Sequence, residues 1–252
     1  MSEVLLETRA VSRRFGGLLA TDGVSIALRR GQVHALLGPN GAGKSTLINL
    51  LSGDLGCSSG EVLYRGQDIT ALAPDARSRI GIGRSYQKTN IFPSFTVREN
   101  CRLAAQSREP RARKFFSNAA AWPGYAGQVD KALADVGLTT RATERASELS
   151  HGEQRQLELA VVLCTGPEVL LLDEPLAGMG HDESTRMIAL LRQLAENHAI
   201  LLVEHDMDAV FSIADVITVM VNGKVLMTGS PDEVRASAQV QQAYLGQEEH
   251  YE

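Results

Sequence analysis

Short apolar runs alternate with helical patterns along much of the chain. The segments 33–37, 169–172 and 199–203 are almost wholly apolar and only four or five residues long, which is typical of strands buried on both faces. A helical pattern over 183–196 lies between the second and third of these segments. This alternation predicts an α/β fold with a mainly parallel sheet.

Two other regions show different patterns. Before about residue 90 the apolar positions alternate, as over 24–28, which predicts a β-rich part with turns. From about 95 to 165 the spacing is helical. Near the end, Asn222-Gly223 separates two apolar runs and predicts a hairpin. We expect one domain in which 1–90 and 166–252 form an α/β core with a β subdomain, and about 91–165 form an inserted α-helical subdomain.

Composition excludes several classes of protein. The 252 residues are 44% hydrophobic and 22% charged, so the chain should fold. A net charge of -5 with 5% aromatic residues argues against a nucleic-acid partner. No apolar run reaches the length of about 18 residues that a membrane span needs, and no secretory signal is evident at the amino terminus. The three cysteines lack metal-ligand spacing. We expect a cytosolic protein.

The strongest motif lies between the first apolar strand and a helical pattern. It matches the phosphate-binding loop G-x-x-x-x-G-K-[ST], whose glycines let backbone N–H groups converge on phosphate oxygens. The lysine should reach the β and γ phosphates, and the final hydroxyl should contact Mg²⁺. The matching residues are Gly38, Pro39, Asn40, Gly41, Ala42, Gly43, Lys44 and Ser45.

Acidic residues follow the later buried strands. Asp173 and Glu174 come directly after 169–172, at the carboxyl end of the strand, where open parallel sheets bind ligands. We predict that Asp173 contacts Mg²⁺ and that Glu174 deprotonates the attacking water. The next strand is followed by His205, which could sense the γ phosphate or could be a histidine satisfied locally.

A capped helix start forms a further candidate site. Ser150 and Glu153 fit the S-x-x-E capping box, and Gly152 between them would let N–H groups approach an anion. Because this helix lies in the helical region, Ser150 and Gly152 could serve a nucleotide held by a second subunit. This arrangement predicts a dimer with ATP at its interface.

Together these motifs resemble the ATP-binding cassette (ABC) ATPases of ABC transporters. GPNGAGKST resembles the Walker A loop, Gln87 the Q-loop, LSHGEQ the signature motif, VLLLDEP the Walker B strand and His205 the switch histidine. The resemblance implies ATP and Mg²⁺ as cofactors, with the metal held by Ser45, Gln87 and Asp173, and catalysis by Glu174 and His205. It also implies nucleotide contacts from Phe15, Thr46, Gln87, Ser150, Gly152 and Glu153.

Within the family, the segments FGGLLA, GIGRSYQKTNIFPSFTVREN and EVRASAQVQQAYLG look like the ATPases of branched-chain amino acid importers. This implies a peripheral protein on the cytoplasmic face of the membrane. The implied partners are transmembrane permease subunits, a separate substrate-binding protein that acts through the permease, and a second ABC ATPase subunit that is a copy or a paralogue. Docking would use residues 87–95. Phe92 and Phe95 could contact the permease or could be core aromatics.

Some residues depart from the family pattern. His151 and Glu153 replace the usual glycine and glutamine of the signature, and Gly180 stands where many relatives have aspartate. The basic, proline-containing segment 107–125 reads as an exposed excursion of unassigned role. The alternatives are a non-transport ABC-type ATPase that acts as an assembly factor and a P-loop kinase. The cargo is set by other chains.

Overall fold

The protein is described here by a computed structural model that covers residues 2–86, 90–107 and 126–245. For the last two of these residues only the backbone is described. The strands are β1 (Val4–Phe15), β2 (Leu18–Val24), β3 (Ala27–Arg29), β4 (Gln32–Leu37), β5 (Ser59–Tyr64), β6 (Gln67–Asp68), β7 (Ile82–Arg84), β8 (Val169–Asp173), β9 (Ala199–Val203), β10 (Val216–Val221) and β11 (Lys224–Gly229).

The helices alternate with the strands of the second half and cluster in the middle of the chain. They are α1 (Lys44–Ser52), α2 (Pro74–Ile80), α3 (Val97–Gln106), α4 (Ala126–Asp135), α5 (His151–Leu163), α6 (His181–Ala195), α7 (Met207–Ile213), α8 (Pro231–Ala236) and α9 (Ala238–Leu245). Among the described residues, no helix is both long enough and apolar enough to cross a bilayer.

The central sheet has six strands in the order β11-β10-β4-β9-β8-β7. All neighbours are parallel except β10 and β11, which form the predicted hairpin around Asn222-Gly223. Every residue of β8 and β9 is buried, because helices cover both faces of the parallel part. The α/β prediction is confirmed, and β8 extends one residue further than the apolar run, to Asp173.

The second sheet is antiparallel, with β1 at its centre. The alternation over 24–28 predicted one strand, but the chain leaves β2 at Val24 and starts β3 at Ala27. The buried side chain of Thr8 holds this break, since its Oγ1 donates to the carbonyl of Val24 at 3.1 Å and accepts from the amide of Ile26 at 3.0 Å. Burial still follows the predicted alternation.

The apolar residues form separate clusters on the two faces of the central sheet. One cluster joins α3, α4 and α5 to α6 and to one face of β8 and β9. A second cluster surrounds α1, which lies between the two sheets. Two capping boxes fix helix starts in the middle of the chain, at Thr96 for α3 and at Ser150 for α5.

A polar cluster at the amino end of β8 connects the two sheets. The carboxylate of Glu168 accepts hydrogen bonds from Arg30 Nη2 at 3.0 Å, from the hydroxyl of Tyr64 at 3.1 Å and from Arg65. Burial raises the pKa of Glu168, but the hydrogen bonds from Arg65 and Tyr64 and the charges of Arg65 and Arg30 together hold the pKa below its ordinary value. The ionised carboxylate therefore stabilises the contact between the sheets.

We predict that Glu168→Gln lowers the free energy of unfolding by about 1 kcal/mol at pH 7, because charge-assisted hydrogen bonds are lost. Since the folded pKa is depressed, this stabilisation is present above the unfolded pKa of about 4.3 and is lost as the pH falls through the folded pKa. Urea unfolding from pH 7 to pH 3 should show the two proteins converging at low pH.

The matched control is Asp75→Asn, which breaks the exposed Arg79–Asp75 pair. It should change stability by less than about 0.5 kcal/mol. A Glu168→Gln protein as stable as the parent at pH 7 would contradict the role assigned to this cluster.

Candidate functional site

The loop between β4 and α1 is folded against backbone on two sides. A Cβ atom at Gly38 would lie 2.2 Å from the carbonyl oxygen of Met220, and one at Gly43 would lie 2.3 Å from that of Ala20. Both residues also have positive φ, 150° and 97°. Only glycine fits these positions, so the loop backbone can form the cradle that the sequence predicts.

Helix α1 begins beside this cradle without a side-chain cap, because Gly43 is its N-cap. Its first backbone N–H groups therefore remain available to an anion, and the helix dipole favours negative charge there. Ser45 is exposed at this helix start and Thr46 is partly exposed, whereas Ala42 is buried. Asn40 and Gly41 lie at the exposed tip of the loop, and Pro39 is half-buried.

Lys44 turns back over the loop. Its Nζ donates to the carbonyls of Gly38 at 2.5 Å and of Pro39 at 3.0 Å. Burial lowers the pKa of Lys44, and the carboxylates of Glu174 and Asp173 oppose this shift. The ammonium therefore lies within electrostatic range of both acidic residues that end the Walker B-like strand.

Asp173 is the last residue of β8 and is only 8% exposed. Burial raises its pKa, while Arg84 and Lys44 oppose the shift. Arg84, at the end of β7, directs Nη2 to within 3.9 Å of Asp173 Oδ2. The same guanidinium donates from Nη1 to Asp54 Oδ2 at 2.5 Å and to Ser52 Oγ at 2.7 Å.

Glu174 adopts a left-handed backbone conformation with φ of 50°, which is uncommon for a non-glycine residue. Its amide donates to the carbonyl of Val203 at 2.8 Å, which ties the end of β8 to the end of β9. Its Oε1 lies 4.0 Å from Nδ1 of His205, a residue whose side chain is 67% exposed. Glu174 and His205 therefore face each other across the ends of adjacent strands.

Glu204 connects the backbone segments that carry Glu174 and His205. It is buried, and its carboxylate accepts from the amide of Leu176 at 2.8 Å and from the amide of His205 at 3.2 Å. Burial raises the pKa of Glu204, and these two hydrogen bonds oppose the shift. The two hydrogen bonds fix the loop after Glu174 relative to His205.

The signature-like motif forms the start of α5, with Ser150 as the N-cap. Ser150 accepts from the amide of Glu153, whose carboxylate accepts from the amide of Ser150 at 2.8 Å and from Arg141 Nε at 3.0 Å. These hydrogen bonds, that from Arg141 first, lower the pKa of Glu153. Glu153 is thus engaged in capping, and its side chain faces its own helical region.

A cavity of about 530 Å³ lies beside this helix start and is lined by residues that include Ser150, Gly152, Met179 and Glu183. None of the residues that line it belongs to the phosphate-binding loop. The structure brings together Lys44, Asp173, Glu174 and His205, none of which lines the cavity beside Ser150, Gly152 and Glu153. Two of the three departures from the family pattern lie close by: His151 packs against Gly178, and Gly180 is the N-cap of α6.

Phe15 ends β1 and is 42% exposed, with the guanidinium of Arg13 at 4.8 Å from its ring centroid. Gln87 lies outside the described residues, so its predicted contacts stay a prediction. Phe92 and Phe95 are 51% and 39% exposed, and their ring centroids are 5.2 Å apart. They are therefore not core aromatics.

The chain is similar to known proteins over almost its whole length. A family model described as "ABC transporter" matches residues 21–177, and one described as "Branched-chain amino acid ATP-binding cassette transporter" matches residues 224–250. The chain belongs to the ABC transporter family. The family accounts for the arrangement above: this is an ABC ATPase, with the phosphate-binding loop and the carboxylates of Asp173 and Glu174 at one edge of its sheet.

The high-affinity branched-chain amino acid transport ATP-binding protein LivG of Salmonella typhimurium is 38% identical over 98% of this chain and all of its own length. The corresponding protein BraF of Pseudomonas aeruginosa is 37% identical over the same shares. A solved ATP-binding cassette of an ABC transporter in its ADP conformation superposes with a TM-score of 0.87 at 29% identity, covering 96% of this chain and 99% of the other.

The site residues of this ABC ATPase fit ATP and Mg²⁺. Gly38 and Gly43 let the loop backbone lie against the carbonyls of Met220 and Ala20, where a Cβ would clash. Within the described ranges, no group of three or more His, Cys, Asp or Glu side chains could hold a metal alone. Mg²⁺ commonly uses one or two carboxylates together with substrate phosphates and water, so Asp173 and the hydroxyl of Ser45 are a suitable pair.

Sequence reasoning missed residues that contact the predicted ones. Arg84 carries no motif signal, because its partners Asp54 and Asp173 are distant in sequence. Arg141 was also missed, although it is paired with Glu153 of the capping box. Glu204 could have been found from sequence, since it is an acid that directly follows a buried strand.

We predict that Gly43→Ala lowers the free energy of unfolding by about 3 kcal/mol, because the new Cβ would overlap a backbone carbonyl and strain a left-handed residue. Gly41→Ala is the matched control: φ is 79° but nothing lies within 4 Å of its Cβ position. It should cost about 1 kcal/mol. Equal losses for both variants in urea unfolding would contradict the tight contact with Ala20.

Proposed function

We propose that the protein is the ATP-hydrolysing subunit that powers an importer of branched-chain or related amino acids. The observation that carries the proposal is the meeting of Lys44, Asp173, Glu174 and His205 at the carboxyl edge of the central sheet. The near full-length similarity to LivG and BraF supports the importer and its cargo class.

The chemistry follows from the geometry. Backbone N–H groups of the loop and the ammonium of Lys44 would bind the β and γ phosphates, and Phe15 would stack on adenine. Ser45 and Asp173 would hold Mg²⁺, with Gln87 as a further ligand. Bound Mg²⁺ would supply neutralisation of charge on the phosphate oxygens. Glu174 would accept a proton from the attacking water, and His205 would contact the γ phosphate.

We further propose that two such subunits pair head to tail. The start of α5 is exposed at Ser150, and the cavity beside it is lined by no residue of the phosphate-binding loop of its own chain. Ser150 and backbone N–H groups near Gly152 would therefore bind the γ phosphate held by a partner, either a copy or a paralogue. Glu153 would act indirectly, through its capping of the helix and its bond to Arg141.

The permease would be the other partner. Its cytoplasmic side would contact the surface of the ATPase that carries Phe92 and Phe95. The backbone of this segment is held by α3 and α5: the amide of Phe92 donates to Asn100 Oδ1, and that of Asn90 donates to Glu158 Oε1, each at 2.8 Å. A firmly held pair of exposed rings suits a protein contact. The helices α3 to α5 would form the subdomain of about 91–165 that carries this surface.

We predict that Glu174→Gln binds Mg-ATP but hydrolyses it at least about 100-fold more slowly, because the base is removed while its shape is kept. Light scattering should show a dimer of this variant only with Mg-ATP. Lys44→Ala in the same background should remain monomeric, since it loses affinity for the phosphates. Full hydrolysis by Glu174→Gln would refute the assignment of the base.

The cargo can be tested in cells. Deletion of the gene should abolish ATP-dependent uptake of radiolabelled leucine, isoleucine and valine, and the wild-type gene but not Glu174→Gln should restore it. Normal uptake of all three in the deleted strain would contradict the importer proposal while leaving the ATPase intact.

Phe92→Ala together with Phe95→Ala should reduce recovery of the permease with the ATPase from detergent-solubilised membranes by about tenfold, as expected for two aromatic contacts at an interface. The isolated variant should bind ATP as before. Leu226→Ala, which removes an exposed apolar residue of β11, is the matched control and should leave recovery unchanged. Unchanged recovery for the double variant would remove this surface from the docking site.

A further inference from the structure

The side chain of Arg84 is held from several sides by residues that lie far apart in sequence. Its Nη1 donates to Asp54 and Ser52, which lie at the carboxyl end of α1. Ser52 Oγ also donates to Asp54 Oδ2 at 2.6 Å, so this carboxylate oxygen accepts from both Ser52 and Arg84. The guanidinium carbon stands 4.6 Å from the ring centroid of Tyr86. Only 10% of the Arg84 side chain is exposed.

The fourth neighbour of Arg84 is Asp173, which the guanidinium approaches without forming a hydrogen bond. Arg84 Nη2 lies 3.9 Å from Asp173 Oδ2, which is within ion-pair range but beyond hydrogen-bond range. Within the described parts of the chain, the buried Nε of Arg84 has no hydrogen-bond partner. The guanidinium is therefore held as a fixed charge near Asp173 without occupying its carboxylate oxygens.

We propose that Asp54, Ser52 and Tyr86 keep the guanidinium of Arg84 from pairing directly with Asp173. They anchor it at a distance that partly offsets the charge of the Asp173 carboxylate while leaving its oxygens available to Mg²⁺. The inference rests on the proposed ATPase function, in which Asp173 is a metal ligand. It adds a residue at the end of β7 that touches neither nucleotide nor metal.

The physical basis is the rigidity of the guanidinium. Arginine has a planar fork that can bind Asp54 and Ser52, stack on Tyr86 and still present its second nitrogen to Asp173. Lysine has a compact charge on a flexible chain, so at position 84 it could move onto Asp173 and compete directly with the metal. The same competition should arise if Arg84 keeps its charge but loses its anchor at Asp54.

The proposal is tested by the binding of Mn²⁺, a spectroscopic substitute for Mg²⁺, in the presence of a non-hydrolysable ATP analogue. Electron paramagnetic resonance measures bound Mn²⁺ without any turnover. Arg84→Lys and Asp54→Ala should each weaken Mn²⁺ binding by about tenfold, the lower range for disturbing an outer-shell partner of a metal ligand, because each frees a cation to pair with Asp173. Arg84→Gln, which leaves no cation to compete, should bind Mn²⁺ within about twofold of the parent or more tightly.

The double variant Asp54→Ala with Arg84→Gln separates anchoring from a general loss of negative charge. If Asp54 acts through Arg84, its removal should have no further effect in the Arg84→Gln background. A tenfold loss that persists there would overturn the proposal. So would weaker binding by Arg84→Gln than by Arg84→Lys, which is the pattern of a purely structural residue.

Arg79→Lys is the control, because Arg79 is an exposed arginine of α2 paired with Asp75; it should bind Mn²⁺ like the parent. Thermal unfolding of each variant separates weaker binding from misfolding. If the parent protein binds no Mn²⁺ with the analogue, both the ATPase proposal and this inference fail. If the parent binds and the variant pattern differs, only this inference fails.

Discussion

Negative charge concentrated at one edge of the central sheet is the constraint on which the rest of the site depends. The parallel strands β8 and β9 end side by side, and their ends carry Asp173, Glu174 and Glu204. The substrate of an ABC ATPase is itself an anion. Such an edge can bind an anionic substrate only where cations and backbone N–H groups from other elements offset the charge of the carboxylates, because unpaired buried charge is costly.

The cations reach the edge from elements on either side of the strands that carry the acids. Lys44 comes from α1, between the two sheets, and Arg84 comes from β7, the neighbour of β8. Each is held by more than its electrostatic attraction: Lys44 by loop carbonyls, and Arg84 by Asp54, Ser52 and Tyr86. The charge of Asp173 is therefore offset in part, although the guanidinium of Arg84 does not hydrogen bond to its carboxylate oxygens.

Sequence alone was sufficient for features that are local in the chain. The loop at Gly38 to Ser45, the acids after β8 and the hairpin at Asn222-Gly223 follow from short patterns with strong physical causes. The interruption between β2 and β3 was not predicted, because it depends on Thr8 in another strand. The ion pairs of Arg84 and the cluster at Glu168 were missed for the same reason: their members meet only after the sheets have formed.

The phosphate-binding loop also has a consequence for motion within the molecule. Gly38 rests on the carbonyl of Met220 in the central sheet, and Gly43 rests on that of Ala20 in the antiparallel sheet. The hairpin joins them, since the amide of Gly223 donates to the carbonyl of Ala42 and the amide of Asp22 donates to that of Gly223. The phosphate-binding loop thus contacts both sheets. Any hinge movement of one sheet relative to the other would change the shape of the loop.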